Sequence, residues 1–179
     1  RRALIAGGAP KKVKVGHGGT LDPLATGLLV VLIGRATRLC DSIMAGAKTY
    51  IADIDLSAFT PTDDAEGERE PVEVASPPTR AQVDGALPRF TGTIMQRPPA
   101  FSAMKIDGQR AYKLARKGRE VELPPRPARI DALRVLAFEW PRLALHIDCG
   151  KGTYIRSLAR DLGTALGTGG HLAGLRRTR

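Results

Sequence analysis

Cysteine, histidine and aromatic residues are scarce in this 179-residue chain. The two cysteines, Cys40 and Cys149, lie far apart and form no CxxC pair, which argues against a disulfide framework or a zinc site. The three histidines, His17, His146 and His171, are scattered, so no metal cluster is legible. Only His17, set among glycines, stands apart from a spectator role. Aromatics make up 4% of residues, so each one's position carries weight. No apolar run approaches the roughly 18 residues of a membrane span, and no signal-peptide pattern is present. The reading is a cytosolic, cytoplasmic protein without membrane contact. The chain opens on Arg1 rather than Met, and reads as a piece lacking N-terminal sequence.

Acids are also in short supply. Lys and Arg number 28 against 18 Asp and Glu, a net charge of +10, with a pI near 10.2. Such a balance is the electrostatic footprint of a nucleic-acid binder. The deficit is uneven. Asp53, Asp55, Asp63, Asp64, Glu66, Glu68, Glu70 and Glu73 crowd one segment against the single base Arg69, leaving the rest more basic still. A polyanion would meet the rest and be repelled by this segment. Hydrophobic content of 42% suffices for one core, so a single domain over 1–179 is expected.

The densest local signal is Gly16-His17-Gly18-Gly19-Thr20-Leu21-Asp22-Pro23-Leu24-Ala25-Thr26-Gly27. It holds the lone carboxylate Asp22 in a loop stiffened by Pro and shaped by Gly, directly before the apolar run 28–33. A carboxylate on such a loop is a candidate for chemistry. Around it, residues 1–5 read as the tail of a basic helix. Residues 11–15 read as a short strand, 27–33 as a buried strand, and 35–45 as a helix. Residues 48–57 alternate as a strand, 58–78 form an acidic loop, and Thr79 with Gln82 signals a capped helix to about Leu87. Residues 129–138 and 143–148 read as strands, and 153–166 as a helix with Ile155, Leu158, Ala159, Leu162 and Leu166 on one face. The mixture lacks strict βαβ alternation, which makes the class α+β.

Residues of about 97–127 differ in character. Pro98-Pro99 and Pro124-Pro125 bound a stretch carrying Lys105, Arg110, Lys113, Arg116, Lys117 and Arg119, with Phe101 and Tyr112 interleaved. It reads either as a solvated basic arm or as an arm that clamps RNA through phosphate contacts and stacking. A second chemical constellation is Gly150-Lys151-Gly152-Thr153-Tyr154-Ile155-Arg156-Ser157. Thr153 can cap the following helix, which puts Arg156 in the first turn, where the helix dipole disfavours a cation. Arg156 is then either solvent-facing or paired with an anion, for which Asp22 is a candidate. Tyr154 is either a core aromatic or a site residue.

Several blocks together resemble the TruB family of tRNA pseudouridine-55 synthases. They are 15–27 around Gly-Thr-Leu-Asp-Pro; Lys48-Thr49-Tyr50; Thr62-Asp63-Asp64-Ala65-Glu66-Gly67; Gln96-Arg97-Pro98-Pro99-Ala100-Phe101-Ser102-Ala103-Met104-Lys105; 112–116; 152–163; and His171 with Leu175-Arg176-Arg177-Thr178. They occur in the family's order along nearly the whole chain. The resemblance implies a pseudouridine synthase fold: a mixed, largely antiparallel sheet flanked by helices, with a thumb-like insertion at about 97–127. It also implies a monomer that converts a uridine in the T-loop of tRNA to pseudouridine on a flipped-out base, with no metal and no organic cofactor. Asp22 would be the nucleophile, at C6 of the uracil or C1′ of the ribose. Tyr50 would stack on the base. Tyr154 would lie against it and is the candidate for removing the C5 proton. Arg156 would pair with Asp22, Leu175 would line the base pocket, and His17 would contact the flipped region. The basic arm, with Lys105, Arg110, Lys113 and Arg116, would grip the T-stem-loop. The chain begins after the Lys-Pro-x-Gly block usual in the family, and the C-terminal RNA-binding module that many relatives carry is not within these 179 residues. Two other readings stand beside this one: a non-catalytic RNA-folding scaffold, and the catalytic subunit of a guide-RNA pseudouridylation particle.

Overall fold

A computed structural model describes residues 1–179 except 103, 107, 116–118, 120 and 122; for 105, 106 and 110 it describes the backbone only. In chain order the elements are α1 (Arg2–Ala6), β1 (Val15–His17), β2 (Thr26–Gly27), β3 (Val31–Ile33), a 3-10 turn (Gly34–Leu39) running into α2 (Cys40–Ala45), and β4 (Lys48–Asp55). Then follow the short strands β5 (Ala58–Phe59) and β6 (Glu70–Pro71), α3 (Arg80–Ala86) and β7 (Gly92–Gln96). The hairpin β8 (Lys105–Ile106) and β9 (Gln109–Arg110) leads into α4 (Ala111–Ala115). The long strands β10 (Arg126–Glu139) and β11 (Arg142–Cys149), then α5 (Ile155–Leu166) and β12 (His171–Arg177), complete the chain.

The main sheet has six strands in the order β2-β12-β4-β11-β10-β7. All neighbours are antiparallel except β2 and β12, so the sheet is mixed and largely antiparallel, and the class is α+β. Alternation along β4 and β11 turns Ala52, Ile54, Leu143, Leu145, Ile147 and Cys149 to one face. There they meet Ile155, Leu158, Ala159 and Leu162 of α5 and Val83 and Ala86 of α3. β10 keeps this inward face over fourteen residues only because register shifts at Ile130/Ala132 and Val135/Ala137 change the parity from Ile130 to Leu133 and from Val135 to Phe138. α3 begins as its sequence demands, with Thr79 and Gln82 forming a reciprocal capping box.

Four local expectations need correction. The strand placed at 11–15 lies instead at Val15–His17, because Pro10 to Lys12 form a turn. The apolar run 27–33 is not one buried strand. Gly27 ends β2 with φ 94°, and β3 pairs only with β1 in a separate two-stranded ribbon, which leaves Leu28, Leu29, Val31 and Ile33 exposed and only Leu32 buried. Thr153 does not cap α5: its hydroxyl donates to the Arg129 and Gly150 carbonyls, and Tyr154 is the flanking residue. The acidic segment is not uniformly solvated. Asp55, Asp63 and Asp64 are buried, with arginines beside all three.

Candidate active site

Asp22 is delivered by the loop between β1 and β2, and that loop is moored to β12. Leu28 N–H donates to the Arg177 carbonyl (2.8 Å), and Arg177 Nε donates to the Leu28 carbonyl (2.5 Å). β2 itself pairs in parallel with Arg176 and Arg177. Gly27 is required at this junction, since a Cβ there would stand 2.1 Å from the Arg177 carbonyl oxygen and φ is 94°.

Opposite the loop, the first turn of α5 presents Arg156, whose side chain is 8% exposed. Its Nε donates to Asp22 Oδ2 at 3.0 Å and its Nη2 to Asp22 Oδ1 at 2.8 Å, a fork-on-fork pair. Nη2 also donates to the Phe101 carbonyl (3.1 Å), Nη1 donates to the Thr62 carbonyl (3.2 Å), and Nη1 lies 3.3 Å from Asp64 Oδ2. The guanidinium is thus committed on every nitrogen. That answers the question of a cation in a first helical turn: two carboxylates offset the unfavourable dipole.

The Asp64 side chain, 3% exposed, is fixed in turn by the Thr62 hydroxyl (2.6 Å) and the Glu66 N–H (3.0 Å) on Oδ1. Beside it Asp63 adopts φ 58°, a left-handed conformation that Asp tolerates better than most residues. Asp63 pairs with Arg160 at 2.7 Å, yet burial outweighs that attraction and pushes its carboxyl up to about 6. Reading the sequence residue by residue missed Asp63, Asp64 and Thr62 as neighbours of the site. Their signal was the Thr-Asp-Asp run between Pro61 and Gly67, a carboxylate pair in a constrained turn.

The ion pair sits in a cavity of about 470 Å³ that is also lined by Tyr50, Phe101, Ser102, Tyr112, Tyr154 and Leu175. The Ser102 hydroxyl is buried on this wall, beside the Tyr154 phenol. Burial raises the phenols of Tyr50 and Tyr154 above their ordinary range, so both are neutral at pH 7. Tyr154 thus lines the cavity as well as being a partly buried aromatic. His17 is not among the cavity's lining residues; it is exposed on β1. Lys113 is exposed on α4, and Lys105 and Arg110 pair across the β8–β9 hairpin through their backbones. Arg116 falls outside the described residues. Among the described residues no group of His, Cys, Asp or Glu could hold a metal ion, and no helix is long and apolar enough to cross a membrane.

Comparison with known proteins follows the geometry. The chain superposes on a chain of the "Crystal Structure of a Cbf5-Nop10-Gar1 Complex" with a TM-score of 0.67 and 31% identity, covering 93% of this chain and 40% of that one. It is 52% identical over 169 residues to the tRNA pseudouridine synthase B of Parabacteroides distasonis, covering 94% of this chain and 72% of that protein. The protein of the same name from Mycobacteroides abscessus is 51% identical over 171 residues, covering 93% of this chain and 57% of that protein. The fold is that of a pseudouridine synthase, and relatives that match most of the chain carry that enzyme's name. Residues 7–155 match the TruB family pseudouridylate synthase (N terminal domain), and the chain belongs to that family.

Proposed function

We propose that this protein isomerises a uridine in the T-loop of tRNA to pseudouridine, with Asp22 as the nucleophile on a flipped-out base. The observation that carries the reading is the Asp22 carboxylate held in the fork of the buried Arg156, on the wall of a cavity flanked by Tyr50, Tyr154 and Leu175. Moving a glycosidic bond from N1 to C5 involves no net hydrolysis. It needs one oriented carboxylate, not the separated pair of a glycosidase. A pair of hydrogen bonds fixes that carboxylate's plane, which is what attack on a base held at one position requires. Extruding the uridine costs a few kcal/mol, less from a loop than from a duplex. A tyrosine platform and the basic surface offset that cost.

In this reading Tyr50 stacks on the uracil and Leu175 closes the apolar side of its pocket. Tyr154 lies toward C5. As a neutral phenol it is a weak direct base, so its firmer part is contact with the ring. The arm of about 97–127, within a single catalytic domain, grips the T-stem-loop with Lys113 among its cations. The tRNA reading is preferred to a guide-RNA one because relatives near 50% identity carry the name tRNA pseudouridine synthase B.

The test is tritium release from a T-stem-loop RNA labelled at C5 of the target uridine. The protein is expected to release tritium, and Asp22→Asn to release none while binding the same RNA within a few-fold. Full release by Asp22→Asn would remove the assignment. Binding by the unaltered protein without release would favour the scaffold reading.

A further inference from the structure

Gln96, the last residue of β7, is 2% exposed and is not itself among the residues that line the cavity. Its amide closes a two-bond ring on the main chain of Tyr154. Gln96 Oε1 accepts from Tyr154 N–H at 2.8 Å, and Gln96 Nε2 donates to the Tyr154 carbonyl at 3.0 Å. No side chain caps the start of α5; Tyr154, which flanks it in an extended conformation, is held by Gln96. The same corner is fastened once more. The Arg97 carbonyl accepts from Ser157 Oγ at 2.8 Å and from Arg160 Nη2 at 3.0 Å.

We infer that Gln96 is a positioning residue for the reaction: by bracketing the main chain of Tyr154 it sets both the Tyr154 ring and the first turn of α5 from which Arg156 reaches Asp22. A neutral amide offers one strong acceptor and a donor side by side, as a peptide unit's N–H and C=O require. An apolar residue of similar size offers neither, and an ionised carboxylate offers only the acceptor. Because Arg156 lies two residues beyond Tyr154, a shift of this corner moves the fork away from the Asp22 carboxylate. Small misplacements of this kind lower the rate of the chemical step far more than they change binding.

The inference rests on the proposed pseudouridine synthase activity, and the experiment separates the two. Tritium release is measured for the unaltered protein and for Gln96→Glu from pH 6 to pH 8.5, with melting temperature followed at each pH. Glu is nearly isosteric with Gln. When protonated it can both donate to the Tyr154 carbonyl and accept from its N–H; when ionised it turns a second acceptor toward that carbonyl. Arg97, Arg126 (the register partner of Gln96), Arg156, Arg160 and its partner Asp63 surround the corner in both proteins, so the ratio of the two rates isolates residue 96.

At pH 8.5 kcat of Gln96→Glu is expected at about one tenth of the unaltered value or lower, with KM within about three-fold, and at pH 6 the ratio is expected to recover to within about three-fold. Gln96→Met is expected to be slow at every pH. A Gln96→Glu rate parallel to the unaltered protein across the range overturns the inference, and so does a deficit that does not recover at pH 6. If the unaltered protein releases no tritium at either pH, it is the proposed activity that fails.

Discussion

Arg156 and Asp22 lie 134 positions apart in the chain, yet they form a two-bond ion pair on the cavity wall. Asp63 makes the other argument at the scale of one residue. Its carboxyl protonates near 6 in the folded protein against 3.8 for the ordinary group, so the native state holds this proton more tightly than the unfolded chain. The sign follows directly. The contribution favours the fold below about pH 4, is lost as pH rises to about 6, and is constant above. The size is on the order of 1–3 kcal/mol. Asp63→Asn keeps the shape and tolerates the left-handed backbone, but cannot ionise. Urea unfolding from pH 4 to pH 7 is expected to show a shallower loss of stability with rising pH in this variant; parallel curves for the two proteins would refute the assignment to Asp63.

Among the elements, the critical joint is that between β2 and β12. The loop bearing Asp22 keeps its place because two main chains approach closely where Gly27 meets Arg177. Gly27→Ala would add a Cβ against a backbone carbonyl, which no side-chain adjustment relieves, at a backbone angle that alanine rarely adopts. Stability is expected to fall by about 2 kcal/mol or more in chemical denaturation. Tritium release is expected to fall at least ten-fold in the fraction that remains folded. A variant with unchanged midpoint and rate would show that the loop is held elsewhere. At the opposite edge of the sheet, the end of β7 grips the start of α5 through Gln96 and Arg97. The two halves of the site are thus carried on separate joints, and each can be perturbed without the other.

On the scale of the whole molecule, a net charge of +10 bears on how RNA is met. Burying Asp55, Asp63 and Asp64 beside arginines removes part of the acidic segment from the surface, so its repulsion of a polyanion is weaker than the sequence implies. Binding of a T-stem-loop is expected to weaken steeply with salt, by about ten-fold or more between 50 and 200 mM, as several phosphate contacts release counter-ions. Filter binding across that range measures it. Lys113→Glu on α4 is expected to weaken binding and flatten the dependence by about one unit of log–log slope. A salt-independent affinity would exclude phosphate contacts as its source.

The sequence by itself determined the features that depend on near neighbours. The capping box of α3 is a three-residue relation, the β4 and β11 strands are two-residue alternations, and the α5 face repeats over a few turns. The chemical loop was legible for the same reason, because glycine, proline and a lone carboxylate constrain a short segment whatever surrounds it. Asp22, Tyr50, Tyr154, Arg156 and Leu175 were all named from sequence blocks, and all line one cavity. Other outcomes were decided by tertiary structure alone. The run 28–33 is apolar enough for a core strand, but its pairing with β1 in a separate ribbon leaves most of it exposed. Thr153 is a good cap by type, but its hydroxyl is drawn to the Arg129 and Gly150 carbonyls instead. Asp63 and Asp64 look like solvated turn residues until α5 sets two arginines against them. In each case the deciding partner lies beyond the reach of a local pattern, from 14 positions for His17 and Val31 to 97 for Asp63 and Arg160. Burial and pairing over such distances are set by how sheet and helix close on one another, and no local pattern encodes that.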